Sequence, residues 1–128
     1  MKRTVPATTL RLLVVDDEEQ VRTMLFDSLS QRGYIVETAS HGGEAIRLLQ
    51  QDEPFDLVIS DIVMPDKDGL ELLLHVRRNF PQLQVIIISG QDNELYLRTA
   101  RGLGANRVLS KPFTADEVST AVAELLPG

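Results

Sequence analysis

An α/β fold organised around a parallel sheet is what this sequence predicts, on three observations. Short apolar runs alternate with amphipathic segments all along the chain. The runs are almost unbroken in apolar character, as strands buried on both faces are. The segments between them place their apolar residues at helical spacing and stop at Gly or Pro.

Each element follows in order. Leu10–Val15 reads as the first strand. Glu18–Arg32 carries Val21, Met24, Leu25, Ser28 and Leu29 on one helical face, with Gly33 as its stop. Tyr34–Ala39 is a second strand. Gly43–Gln51 forms a helix around Ala45, Ile46, Leu48 and Leu49, closed by Pro54. Phe55–Ser60 is strand three, and Pro65–Gly69 a turn. Leu70–Asn79 carries a leucine-rich helical stripe that ends before Pro81, and Gln84–Ile88 is the most apolar strand. Asn93–Leu103 is a weaker helix, because Gly102 and Gly104 crowd its end. Arg107–Ser110 is strand five, and Thr114–Leu126 a helix built on Ala115, Val118, Ala121, Val122 and Leu125. Repeated βα units give a five-stranded parallel sheet with five helices in three α/β/α layers. The expected strand order is 2-1-3-4-5, the flavodoxin-like arrangement. Residues 1–9 are expected to be a flexible N-terminal tail, and 127–128 a short C-terminal end.

Composition narrows the function classes. The chain has 128 residues, enough for one domain, with 43% hydrophobic and 25% charged residues, as in an average water-soluble protein. A net charge of −6 and the lack of a basic run argue against direct nucleic-acid contact. Without cysteine, disulfides, thiolate zinc sites and cysteine nucleophiles are excluded. Met1-Lys2-Arg3 is basic, but the next apolar stretch is broken by Arg11 and closed by two aspartates. The expectation is therefore no signal peptide, no membrane association and a cytoplasmic location.

The strand ends carry the chemistry. Strand one runs into Asp16-Asp17, strand three into Asp61, strand four into Ser89 and strand five into Lys111-Pro112. In a parallel sheet these groups collect at one edge, outside the carboxyl ends of the strands, where such sheets bind ligands. Asp16, Asp17 and Asp61 form an oxygen-rich cation site suited to Mg²⁺. Two carboxylates about 5 Å apart at an effective dielectric of about 20 repel by roughly 3 kcal/mol, so the cluster favours a cation. Asp61 is the best nucleophile for an acyl phosphate. Ser89 and Lys111 can address the phosphoryl oxygens, and Pro112 fixes the local turn.

Several of these residues also fit plainer roles. Asp17 with Gln20, Asp68 with Glu71, and Thr114 with Glu117 all match helix-capping spacing. Ser89 alone is an ordinary strand-end hydroxyl. A carboxylate such as Asp61 at the end of a buried strand needs a partner. His41 and His75 have no metal or triad spacing and read as surface residues.

Residues Val14-Val15-Asp16-Asp17-Glu18, Asp61-Ile62-Val63-Met64-Pro65, Asp68-Gly69, Ser89-Gly90, Gly104-Ala105 and Lys111-Pro112-Phe113 complete an ordered pattern. Across 10–126 the chain resembles the receiver domain of bacterial two-component response regulators. That resemblance implies that Asp61 accepts a phosphoryl group from the phosphohistidine of a sensor histidine kinase or histidine phosphotransfer protein. It implies Mg²⁺ held by Asp17 and Asp61, by the Val63 carbonyl, and by Asp16 largely through water. Ser89 matches the switch hydroxyl, and Lys111 the family's lysine, whose bond to the following proline is often cis. Phosphorylation would bias a two-state equilibrium on the face made by helix 4, strand 5 and helix 5. A downstream protein or fused output domain would read it, with a phosphorylation-dependent homodimer as one output. Such a domain is a signalling phosphoacceptor that catalyses its own phosphorylation and dephosphorylation rather than an enzyme acting on other substrates.

The sequence departs from the family in places. Val108 stands where family members usually carry Tyr or Phe, and a valine cannot swing between buried and exposed poses. Tyr96 is a candidate substitute on the output face and also a plain surface aromatic. Ser89 replaces the commoner Thr. Val63 and Gln91 occupy positions where the family tunes phosphoryl lifetime. Three alternatives remain open at this level. A metal-dependent phosphohydrolase would need a second acid where Val63 stands. A flavin-binding protein would need a phosphate loop where Asp16-Asp17-Glu18-Glu19 repels phosphate. A degenerate receiver would lack the intact acceptor set. A stand-alone regulator and a receiver cut from a longer protein are both compatible with the chain.

Overall fold

A computed structural model describes residues 10–51, 53–62, 69–90 and 94–126. The strands are β1 (Arg11–Val15), β2 (Ile35–Ala39), β3 (Leu57–Asp61), β4 (Gln84–Ser89) and β5 (Arg107–Ser110). The helices are α1 (Glu19–Gln31), α2 (Gly42–Leu49), α3 (Gly69–Asn79), α4 (Glu94–Gly102) and α5 (Ala115–Leu125). The strands pair in parallel in the order β2-β1-β3-β4-β5. Fold class and strand order are thus as the sequence predicts, with element ends shifted by a residue or two. The expected tail at 1–9 and the end at 127–128 lie outside the described residues.

Strand alternation divides the core into two. Leu13, Val15, Val58, Val85 and Ile87 face one way and meet Ala45 and Leu49 of α2, Leu72, Leu73 and Val76 of α3, and Leu97 and Ala100 of α4. Leu12, Val14, Leu57, Ile59, Ile86 and Ile88 face the other way, onto Leu25 and Leu29 of α1 and Val118, Ala121 and Val122 of α5. Because both faces are covered, β1 and β3 carry unbroken apolar runs. The helix starts are built locally. Thr114 Oγ1 accepts from Glu117 N at 3.0 Å while Glu117 Oε1 accepts from Thr114 N at 2.7 Å, the expected capping box. His41 caps α2, its Nδ1 accepting from Glu44 N at 3.2 Å. It is half-buried, as is His75 beside Phe80, so the surface assignment of both is corrected. A histidine can cap because its ring nitrogen accepts as a side-chain oxygen does. Asp68 lies outside the described residues.

At the amino edge of the sheet, Arg77 of α3 ties three segments together. Its Nε donates to Gly104 O at 2.9 Å, Nη1 to Leu83 O at 2.7 Å, and Nη2 to Asn106 Oδ1 at 2.7 Å. Asn106 Oδ1 also accepts from Val85 N at 2.8 Å. Gly104 has φ of +108°, and a Cβ there would lie 2.9 Å from Arg77 Nε. Glycine is therefore required both by the backbone and by the approach of the guanidinium. Arg77→Ala is expected to lose about 2–4 kcal/mol of stability in urea denaturation, because it strands several acceptors at once. Arg77→Lys should recover little, since a point charge cannot reproduce the planar fork. The clamp sits at the amino edge of the sheet and Asp61 at the carboxyl edge, so the phosphorylation that the family resemblance implies should proceed at the parent rate in the folded variant.

Candidate functional site

Parallel pairing brings the strand ends to one edge, as the sequence predicts. Asp16 follows β1, with its amide donating to Ala39 O at 3.1 Å. Asp61 ends β3 beside it, since Val15 pairs with Ser60. Asp61 pairs in turn with Ile88, so Ser89 lies one residue further along β4. Ser89 pairs with Ser110, and Lys111 N donates to Ser89 O at 2.6 Å. The Lys111–Pro112 peptide is cis. Asp16, Asp61 and Ser89 are buried, whereas Asp17 is exposed.

Carboxylate oxygens of Asp16, Asp17 and Asp61 lie within 4.8 Å of one another. The Lys111 ammonium faces them, 3.3 Å from Asp16 Oδ2 and 3.5 Å from Asp61 Oδ2, and donates to Glu18 Oε1 at 2.6 Å. Burial alone would lower the Lys111 pKa. The Glu18 hydrogen bond and the Asp16 and Asp61 charges outweigh it and hold the ammonium above the ordinary lysine value. Asp16 is pushed up from 3.8 to about 6, first by burial and then by the Asp61 charge. The Glu18 amide, donating to Asp16 Oδ1 at 2.8 Å, and Lys111 oppose that rise without cancelling it.

These residues fit a small hard cation. Asp16 Oδ2 is buried and no donor reaches it in hydrogen-bond geometry among the described residues, although Lys111 stands near. Each of the three acids can offer one carboxylate oxygen, and these oxygens lie close enough together to converge on one ion, as Mg²⁺ with its oxygen ligands requires. Val63 lies outside the described residues, as does Gln91.

A carboxyl with a higher pKa folded than unfolded holds its proton more tightly in the folded state. Burying Asp16 therefore costs nothing below about pH 4 and its full amount above about pH 6, roughly 1–3 kcal/mol. Mg²⁺ should remove that cost. The rise in thermal midpoint on adding Mg²⁺ is expected to be clear at pH 7.5 and much smaller at pH 5, where protons compete for Asp16. Equal rises at both pH values would contradict it.

Three features of the site were not foreseen. Asp17 is not the cap of α1; Glu18 holds that position and makes no side-chain cap. Glu18 instead reaches Lys111, a contact spanning 93 positions that no local pattern signals. Gly69, read as a turn residue and as part of the family pattern, lets α3 pack against the end of β3. A Cβ there would clash with Asp61 O and sit 2.6 Å from Ile62 Cα. Val108 is half-buried and packs against the core on the α4 side, and Tyr96 is exposed on α4.

A doubly wound sheet with acids and a lysine at its switch point has close counterparts. The response regulator receiver domain model matches residues 12–123, and the chain belongs to that family. It is 36% identical to the probable chemotaxis protein CheY of Rhizobium etli, over 91% of this chain and 92% of that protein. It is 34% identical to the alkaline phosphatase synthesis transcriptional regulatory protein PhoP of Bacillus subtilis, over 91% of this chain but only 48% of PhoP. The chain therefore spans about half the length of that relative. Among solved structures, response regulator TrrA of Thermotoga maritima, in complex with Mg²⁺ and BeF, superposes with a TM-score of 0.81 at 33% identity, covering 92% of this chain and all of TrrA. This is a signalling domain, and no described helix is long and apolar enough to cross a membrane.

Proposed function

We propose that Asp61 accepts a phosphoryl group from the phosphohistidine of a sensor histidine kinase or phosphotransfer protein. The observation that carries this is the placement of the Asp61 carboxylate, buried at the end of β3 within reach of Asp16, Asp17 and Lys111. An Asp61 oxygen bonds to phosphorus as the P–N bond to the imidazole breaks, and the departing nitrogen takes up a proton. Asp16, Asp17 and Asp61, with the Val63 carbonyl, would hold Mg²⁺, which when bound neutralises phosphoryl oxygens. Lys111 supplies the second cation, and Ser89 at the neighbouring strand end donates to another oxygen. The same groups serve self-dephosphorylation when water attacks.

Output is assigned to the face formed by α4, β5 and α5. Lys111 directly follows β5, so its recruitment to a phosphoryl group pulls on the strand between the two helices. With Val108 packed into the core side, that pull acts without an aromatic rotor. A downstream protein, a fused output domain or a second copy would read the change, in the cytoplasm. Incubation with a small-molecule phosphoryl donor and Mg²⁺, followed by peptide mapping, tests the assignment. One phosphoryl group should be found on Asp61, and a group mapped to any other residue, or none at all, rejects it.

A further inference from the structure

Resting on the phosphoacceptor role proposed above, we infer that Glu18 is a positioning residue that holds Lys111 back from Asp61 and so sets how readily the phosphorylated state forms. Three acids share one ammonium. The bond to Glu18 Oε1 is 2.6 Å, against 3.3 Å to Asp16 Oδ2 and 3.5 Å to Asp61 Oδ2. The Glu18 side chain is 60% exposed whereas those of Asp16 and Asp61 are at most 9% exposed, so its attraction draws the ammonium outward.

Local structure supports a dedicated role. Glu18 occupies the N-cap of α1 and makes no side-chain bond to the helix's own amides, so its carboxylate is committed to Lys111. Its backbone is fixed, because its amide donates to Asp16 Oδ1 at 2.8 Å and its carbonyl accepts from Val21 N and Arg22 N. The carboxylate is thereby presented to Lys111 by the same turn that presents Asp16 and Asp17. When a phosphoryl group arrives on Asp61, Lys111 must leave Glu18 to reach it. The opposing pull is that of one exposed ion pair, a factor of about two- to fivefold.

Titration of the protein with beryllofluoride at saturating Mg²⁺, followed by amide NMR shifts, tests this. Glu18→Gln should lower the half-saturating concentration about two- to fivefold, and the gap to the parent should narrow as KCl rises. Glu18→Ala should shift the same way. Glu19→Gln, which removes the same charge from a residue that is not a Lys111 partner, should titrate like the parent. Glu18 variants that bind no more tightly than Glu19→Gln would overturn the inference while leaving the role of Asp61 intact. A parent protein indifferent to beryllofluoride, or an Asp61→Asn protein that binds it equally well, would overturn both.

Discussion

Asp61→Asn is expected to abolish phosphorylation while leaving the domain folded. An amide is nearly isosteric with a carboxylate, so β3 should keep its pairing with β1 and β4. It is a far weaker nucleophile and cannot form the acyl phosphate. The substitution also removes a charge that raises the Asp16 pKa, so Asp16 should ionise at lower pH than in the parent. Mass spectrometry after treatment with a phosphoryl donor should show no phosphorylated protein. NMR titration of the Asp16 carboxyl should show its midpoint falling below about 6. Phosphorylation that persists with an intact fold would remove Asp61 from the mechanism.

Gly69→Ala is expected to be the most damaging small substitution near the site. The atoms its methyl would meet, Asp61 O nearest of all, then Ile62 Cα at 2.6 Å and Ile62 O at 3.0 Å, are all backbone. No side-chain rotation relieves such contacts, so either α3 or the end of β3 must move. Gly69 N donates to Ile62 O at 2.8 Å, and separation would lose that bond as well. A loss of about 3 kcal/mol or more is expected in urea denaturation. The residue displaced is Asp61 itself, so the rate of phosphorylation should fall together with stability, in contrast to Arg77→Ala. A Gly69→Ala protein with parental stability and rate would show that the contact is relieved elsewhere.

The sheet was legible in the sequence because β1, β3 and β4 are buried on both faces and carry unbroken apolar runs, which few other structures explain. The site was legible for a related reason. Strand-end residues need no long-range prediction once the strands are parallel, so Asp16, Asp61, Ser89 and Lys111 followed from topology. Interactions that depend on the route of the chain between strands were not legible. Glu18 and Lys111 meet only because α1 begins, and β5 ends, at the same edge. Arg77 carries no local signal in the sequence, yet its side chain crosses an amino-edge corner whose carbonyls no pattern marks. Gly69 and Gly104 read as turn or breaker residues, while the structure uses them for close approach. The capping ambiguity at Asp17 was settled by one residue of phase, which periodicity does not resolve.

The sheet order has a mechanical consequence. Asp61 is seated on a strand hydrogen-bonded on both sides, by β1 and by β4. Lys111 hangs from a four-residue strand that, among the described residues, pairs with β4 alone and forms the edge of the sheet. If Asp61 is the acceptor and Lys111 senses it, as proposed, the acceptor is anchored like a bearing while its sensor is mounted on a cantilever. A force between them would then bend the free arm rather than the mount, and the signal would leave the domain on the β5 side.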